Sequence, residues 1–125
     1  VVEKFLWISI GAIAGANLRY WVSDWAANRW GSNFPFGTLL INLSGSLMLG
    51  LILAMVSDHY LIDPRLRLVL TIGFLGSYTT FSTYAFESVA LFQQGQWWLG
   101  LLNLFGSSFL GGLFALLGIW IGKLL

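Results

Sequence analysis

The sequence predicts an all-α membrane protein with four transmembrane helices, the third of them broken in mid-span. Three observations carry this prediction. The first is composition: of 125 residues, 58% are hydrophobic and 9% are charged, and the mean hydropathy is +0.81. A soluble domain carries about 25% charged residues and needs them to solvate its surface. The second is segmentation. Four apolar stretches, at about 5–25, 37–56, 66–92 and 97–121, are separated by short polar connections. The third is a polar window inside the third stretch. Ser77–Thr83 holds six Ser, Thr and Tyr hydroxyls in seven residues, preceded by Gly73 and Gly76. Hydrocarbon offers hydroxyls no water partner, so polar groups in mid-span face protein, a cavity or a permeating species.

Composition also excludes. A net charge of +1 gives no footprint for nucleic acid. With no cysteine, disulfides and thiol chemistry are ruled out. The single histidine, His59, stands beside Asp58 near a polar connection and reads as a solvated loop residue, not a metal ligand. The length fits a single domain over residues 1–125. The chain is not expected to be an enzyme.

The first stretch carries Gly11-xxx-Gly15 and Ala12-xxx-Ala16. Small residues four apart let helix backbones approach closely, which is a packing signal. Arg19 continues the glycine spacing. On that face an arginine either snorkels to the interface or lines a wet vestibule, and pattern alone leaves both open. Ala12-Ile13-Ala14 resembles a signal-peptidase site, but the positive region before it is weak and apolar character continues past it. The stretch is therefore expected to be retained as a span.

The second stretch has no charge in 20 residues. As a helix it covers about 30 Å, one hydrocarbon thickness. Thr38, Asn42 and Ser46 recur every four residues and form one polar stripe. Asn42 brings two amide donors and one acceptor. Interhelical glue and a pathway lining are both compatible with this stripe.

The third stretch, up to 27 residues, is long for one straight span and invites tilt or a break. Gly73 and Gly76 lower helix propensity, and Ser77, Thr79 and Thr80 can bond to backbone instead of continuing the ladder. Carbonyls and amides freed in mid-membrane must meet a ligand, an ion or water. Freed carbonyls suit a hard cation. Phe81 and Tyr84, three apart, share a helix face, and electropositive ring edges can approach an anion.

In the fourth stretch Asn103, Ser107 and Gly111 share the spacing of four. Three helices thus carry neutral polar groups in spans nearly free of charge. Such a lining suits a small species held by hydrogen bonds. A proton relay needs an ionisable group at depth, and Glu87, near one end of its span, is the only candidate. Residues 28–35, 57–67 and 93–96 read as connections, and six of the tryptophans gather near predicted helix ends, as interfacial belts do. With four spans, Lys4, Arg65, Arg67 and Lys123 share one side, against Arg29 and Arg19 on the other. This bias is weak enough to permit insertion in both orientations.

Taken together, these residues resemble the Fluc (CrcB-type) fluoride channel family over essentially the whole chain. Gly11-x-x-x-Gly15-Ala16-Asn17-Leu18-Arg19-Tyr20 resembles its first-helix motif, and Phe34-Pro35-Phe36-Gly37-Thr38-Leu39-Leu40-Ile41-Asn42 its second. Gly73-Phe74-Leu75-Gly76, with Thr79-Thr80-Phe81-Ser82-Thr83 and Glu87, resembles its broken third helix. The resemblance implies an antiparallel, dual-topology homodimer in a bacterial inner membrane, crossed several times by each subunit and enclosing two fluoride pores. It implies a pore role for Asn42, for Phe81 and the aromatic three residues on, and for a polar track of Thr38, Thr83, Ser107 and Glu87. With Ser82 and Asn103 from the polar faces above, these residues form the expected fluoride pathway. Arg19 would sit in the vestibule. The carbonyls of Gly76 and Thr79 would hold a structural sodium ion between subunits. Two letters depart from the family: Tyr84 where Phe is usual, and Ser77 where Gly is frequent.

The implied function is passive export of cytoplasmic fluoride. A small proton-coupled multidrug antiporter has similar size and helix count but needs a carboxylate deep in its first helix, where this chain has only Glu3 at the start. A non-transporting membrane scaffold would leave the polar stripes as packing alone.

Overall fold

A computed structural model describes residues 1–58 and 62–125, and apart from short connections and one break they are helical. His59 lies outside the described residues. Helix α1 is Val2–Trp30 and α2 is Phe36–Asp58. The third rod comes in two pieces, α3 over residues 64–78 and α4 over Phe81–Gln93. Helix α5 is Trp97–Leu124. The backbone widens to π-helical turns at Leu68–Leu75 in α3 and at Leu102–Gly106 in α5.

Helix ends follow local chemistry. Asp63 caps α3 by accepting the Arg65 N–H at 2.8 Å, with Pro64 in the first helical position. Gly31 ends α1 at φ 82°, and Gly95 makes the α4–α5 turn at φ 80°, where a side chain would be strained. Aromatic rings close both corners. Trp25 meets Trp30 edge-on at 5.2 Å, and Phe92 lies 5.0 Å from Trp97.

Glycines set the two closest helix crossings. A methyl on Gly118 would collide with the Leu47 carbonyl, and one on Gly50 with the Ala115 carbonyl, so α2 and α5 run backbone to backbone. Gly11 and Gly15 do the same for α1 against α3, facing the Val69 and Phe74 carbonyls. The motif read from sequence as packing is buried in this crossing. Ile41, Leu75 and Tyr78 form the buried centre, with Val22, Met48, Ile52 and Phe74 packed on it. At the opposite end, Arg65 Nε pairs with Glu3 Oε1 at 2.9 Å, and Trp7 Nε1 donates to the same oxygen at 3.2 Å. Glu3 is therefore a surface carboxylate, not a deep one.

Among the described residues, Phe36–Ser57 and Trp97–Leu124 are long and apolar enough to cross a membrane by themselves. Most of each lies uncovered, unlike the core helix of a soluble protein. Helix α1 carries Arg19 and Asp24 within its length. The third rod is divided, and α4 alone covers only about 20 Å.

Candidate functional site

The site is built on the break between α3 and α4. Helix α3 stops after Tyr78 because Thr79 (φ −82°, ψ 158°) and Thr80 (φ −149°, ψ 120°) are extended. Both are β-branched, a class that tolerates extended backbone well. Thr80 then caps α4, its hydroxyl accepting the Thr83 N–H at 3.3 Å.

Two side chains from other helices hold the break. Asn42 on α2 pairs with Thr80 as a second peptide would: Nδ2 donates to the Thr80 carbonyl at 2.9 Å, and Oδ1 accepts the Thr80 N–H at 2.8 Å. One Nδ2 hydrogen of Asn42 remains beyond this pairing. Arg19 on α1 donates from Nε to the Ser77 carbonyl at 3.0 Å, placing a cation at the C-terminal end of α3, where the helix dipole favours it. Of the two positions open to Arg19 by pattern, neither anticipates this tie to backbone.

The pairing has a consequence for carbonyls. In an unbroken helix the Thr80 N–H would close on Gly76, and the Thr83 N–H on Thr79. Here the first donor goes to Asn42 and the second to the Thr80 hydroxyl. The Gly76 and Thr79 carbonyls thus lose their helical donors. Ser77 stays helical, so the interruption falls at Thr79–Thr80.

A cavity of about 500 Å³ opens beside the break. Asn42, Gly76, Thr79, Phe81, Tyr84 and Ser107 are among its lining residues. The Phe81 and Tyr84 rings lie 5.9 Å apart at 54°. They differ in setting: Phe81 is 79% exposed and Tyr84 8%. The Tyr84 hydroxyl bonds to the Leu104 carbonyl and lies 2.7 Å from Ser108 Oγ, both on α5.

A second cavity, about 370 Å³, lies towards the α1–α2 corner and is lined by Thr38, Thr83 and Glu87, among others. Glu87 Oε1 is buried without a hydrogen-bond partner among the described residues. The stripe read from α2 is therefore divided by height. Asn42 and Ser46 line the first cavity, and Thr38 lines the second.

Two expected pathway residues line neither cavity. Ser82 is exposed. Asn103, 2% exposed, donates from Nδ2 to Ser88 Oγ at 2.8 Å and accepts from Ser107 Oγ at 3.0 Å through Oδ1. Sequence reasoning missed Ser88 and Ser108. Ser88 stands one helical turn after Tyr84, and its hydroxyl donates to the Tyr84 carbonyl at 2.9 Å. That spacing was the available signal.

Uncovered apolar helices and a cavity of neutral hydrogen-bonding groups at a helix break define a class: a small helical membrane protein with a polar site inside its spans. Residues 6–119 match the family described as CrcB-like protein, Camphor Resistance (CrcB). The chain belongs to the CrcB family. It is 47% identical over 109 residues to a protein of Koribacter versatilis, covering 87% of this chain and 86% of the relative. A Synechococcus protein is 44% identical over 117 residues, with 94% and 90% covered. One from Chloroflexus aurantiacus is 42% identical over 123 residues, with 98% and 97% covered. Each is named fluoride-specific ion channel FluC.

Proposed function

We propose that this protein is a fluoride-selective channel that lets the ion leave the cytoplasm down its gradient. The support is twofold. Relatives that align along nearly the whole chain carry that name. The cavity at the break offers neutral donors and aromatic rings with no fixed cation among its lining residues. Fluoride is small and tightly hydrated, so a pore must replace its shell with close donors yet let it go. The free Asn42 hydrogen, the Ser107 hydroxyl and the Phe81 edge suit this without trapping the ion. Thr38, Thr83 and Glu87 would continue the path through the second cavity. Ser82 and Asn103 would act at its margin, the first by exposure and the second through Ser107. Arg19 would keep its NH₂ groups for the vestibule while its Nε holds Ser77.

The channel is proposed to be an antiparallel homodimer of four-span subunits in a bacterial inner membrane. Phe86 on α4 and Phe105 and Phe109 on α5 are exposed apolar rings that a second copy could cover. The weak charge bias permits the two orientations that such a dimer needs.

A structural sodium ion fits the break. The Gly76 and Thr79 carbonyls have lost their helical donors, and hard cations take oxygen ligands. Among the described residues no cluster of His, Cys, Asp or Glu competes for a metal. Sodium there would take the freed carbonyls as ligands and tie two subunits together.

The test is fluoride efflux from liposomes holding the purified protein, with chloride as control. Fluoride release well above empty vesicles, with chloride retained, is the expected result. Fluoride release at the level of empty vesicles would refute the channel.

A further inference from the structure

Tyr84 is where this chain departs from the usual phenylalanine, and its hydroxyl has two possible uses. It could face the cavity and donate to the permeating ion, or it could be spent on protein. The geometry decides between them. Tyr84 and Ser108 both line the cavity, but the Tyr84 hydroxyl is spent on protein there: it donates to the Leu104 carbonyl and lies 2.7 Å from Ser108 Oγ. A phenol has one proton to donate. Ser108 Oγ also reaches the Leu104 carbonyl, at 2.9 Å, so two hydroxyls share one acceptor at a π-helical turn. A second contact lies one turn further along the same helix pair: Asn103 Nδ2 donates to Ser88 Oγ, which in turn donates to the Tyr84 carbonyl. The Tyr84 hydroxyl is thus held directly against α5, and its carbonyl is linked to Asn103 of α5 through Ser88, while Phe81, three residues earlier, stays exposed.

We infer that Tyr84 is a positioning residue for conduction: its hydroxyl latches α4 to the Leu104–Ser108 turn of α5, so that the ring, not the hydroxyl, meets the ion. This rests on the reading of the cavity as the fluoride path. The committed proton leaves the ring as the only part of Tyr84 that an anion can approach without breaking the latch. With the latch gone, the ring can turn about its side-chain torsions and no longer presents one fixed surface to the cavity.

The test combines flux with a spectroscopic readout. Fluoride efflux is compared for wild type, Tyr84→Phe, Ser108→Ala and the double variant in liposomes. Tyrosine labelled with ¹³C at Cζ is followed by solid-state NMR in the same membranes, the Tyr84 signal being assigned by its loss in Tyr84→Phe. Tyr84→Phe is expected to slow flux about fivefold, the factor that one net hydrogen bond is worth. Ser108→Ala should fall between Tyr84→Phe and wild type, and should add nothing in the Tyr84→Phe background. The Cζ signal should move in Ser108→Ala and stay put when fluoride is added. If flux is unchanged in both single variants while melting temperatures fall, Tyr84 is only a staple and the inference is overturned. It is equally overturned if Tyr84→Phe abolishes flux, Ser108→Ala is silent and fluoride shifts Cζ, for then the hydroxyl is a ligand. Absence of flux in wild type would refute the fluoride reading and the conduction role together, while the Cζ response to Ser108→Ala would still report whether the latch exists.

Discussion

The third rod and α5 begin alike and end differently. Each starts with one short α-helical turn and widens into a π-helical segment, Leu68–Leu75 in one and Leu102–Gly106 in the other. Each then enters a polar stretch. Helix α5 continues unbroken through Ser107 and Ser108 to Leu124, whereas the third rod loses its ladder at Thr79–Thr80. The hydroxyls do not explain the difference, since both stretches have them. In α5 the Ser107 and Ser108 hydroxyls bond to acceptors four residues back, Asn103 Oδ1 and the Leu104 carbonyl, and the backbone keeps its own partners. In the third rod Asn42 supplies a replacement for both backbone groups of Thr80. A helix can be broken cheaply in a membrane where a neighbour restores what is lost, and expensively elsewhere.

Four experiments would break or sharpen this contrast. The largest effect is expected from Asn42→Leu, which leaves a part-buried N–H and C=O of Thr80 without partners. At about 1–3 kcal/mol for each orphaned group, unfolding in detergent should show a loss of several kcal/mol. Stability near wild type would mean that the break holds itself. Gly118→Val comes next, because a side chain there meets the Leu47 carbonyl and the Leu51 amide across the α2–α5 crossing. Overpacking of this kind costs about 1–3 kcal/mol, readable as a lower melting temperature. An unshifted melt would show that α5 owes its continuity to something other than α2.

Phe81→Ile tests the ring on the far side of the break. Loss of an aromatic contact worth about 1 kcal/mol should slow fluoride efflux about fivefold, with the oligomeric state on size exclusion unchanged. Wild-type flux would remove Phe81 from the path. The smallest effect is expected for Glu3→Gln, outside both regions, since the Glu3 and Arg65 side chains are each 60% exposed. An exposed pair contributes under about 1 kcal/mol, so the melt should barely move. A large shift would make the N-terminal end of α1 as critical as the break.

The sequence already carried much of this. The uncharged run 37–56 and the run 97–121 specify helices of membrane length, and both form. Gly11 and Gly15 specify a close crossing, because glycines four apart leave a groove whatever the partner is. The cluster of Gly76, Ser77, Thr79 and Thr80 indicates a break, since β-branched and hydroxyl residues offer the backbone alternatives to the helix. Other features were out of reach. Period and spacing assign a residue to a face, so Thr38, Asn42 and Ser46 read as one stripe. They do not say that the stripe serves two cavities, because cavity boundaries depend on which neighbouring helix lies at each height. Asn103 shares its face with Ser107, yet Ser88 draws its amide away from the cavity. Arg19 looked towards an interface or a vestibule, because a sequence cannot show an unpaired carbonyl at the end of another helix.

By itself, then, the sequence determined what kinds of element form and where one must fail, because helix length, apolar run and backbone preference are local quantities. Only the tertiary structure decided how the polar groups are spent. Asn42 gives most of its amide to Thr80, Tyr84 gives its hydroxyl to Leu104, and the Gly76 and Thr79 carbonyls are left without their helical donors. A hydrogen bond belongs to two partners at about 3 Å, and for these groups one partner comes from a different helix or from a backbone freed by the break.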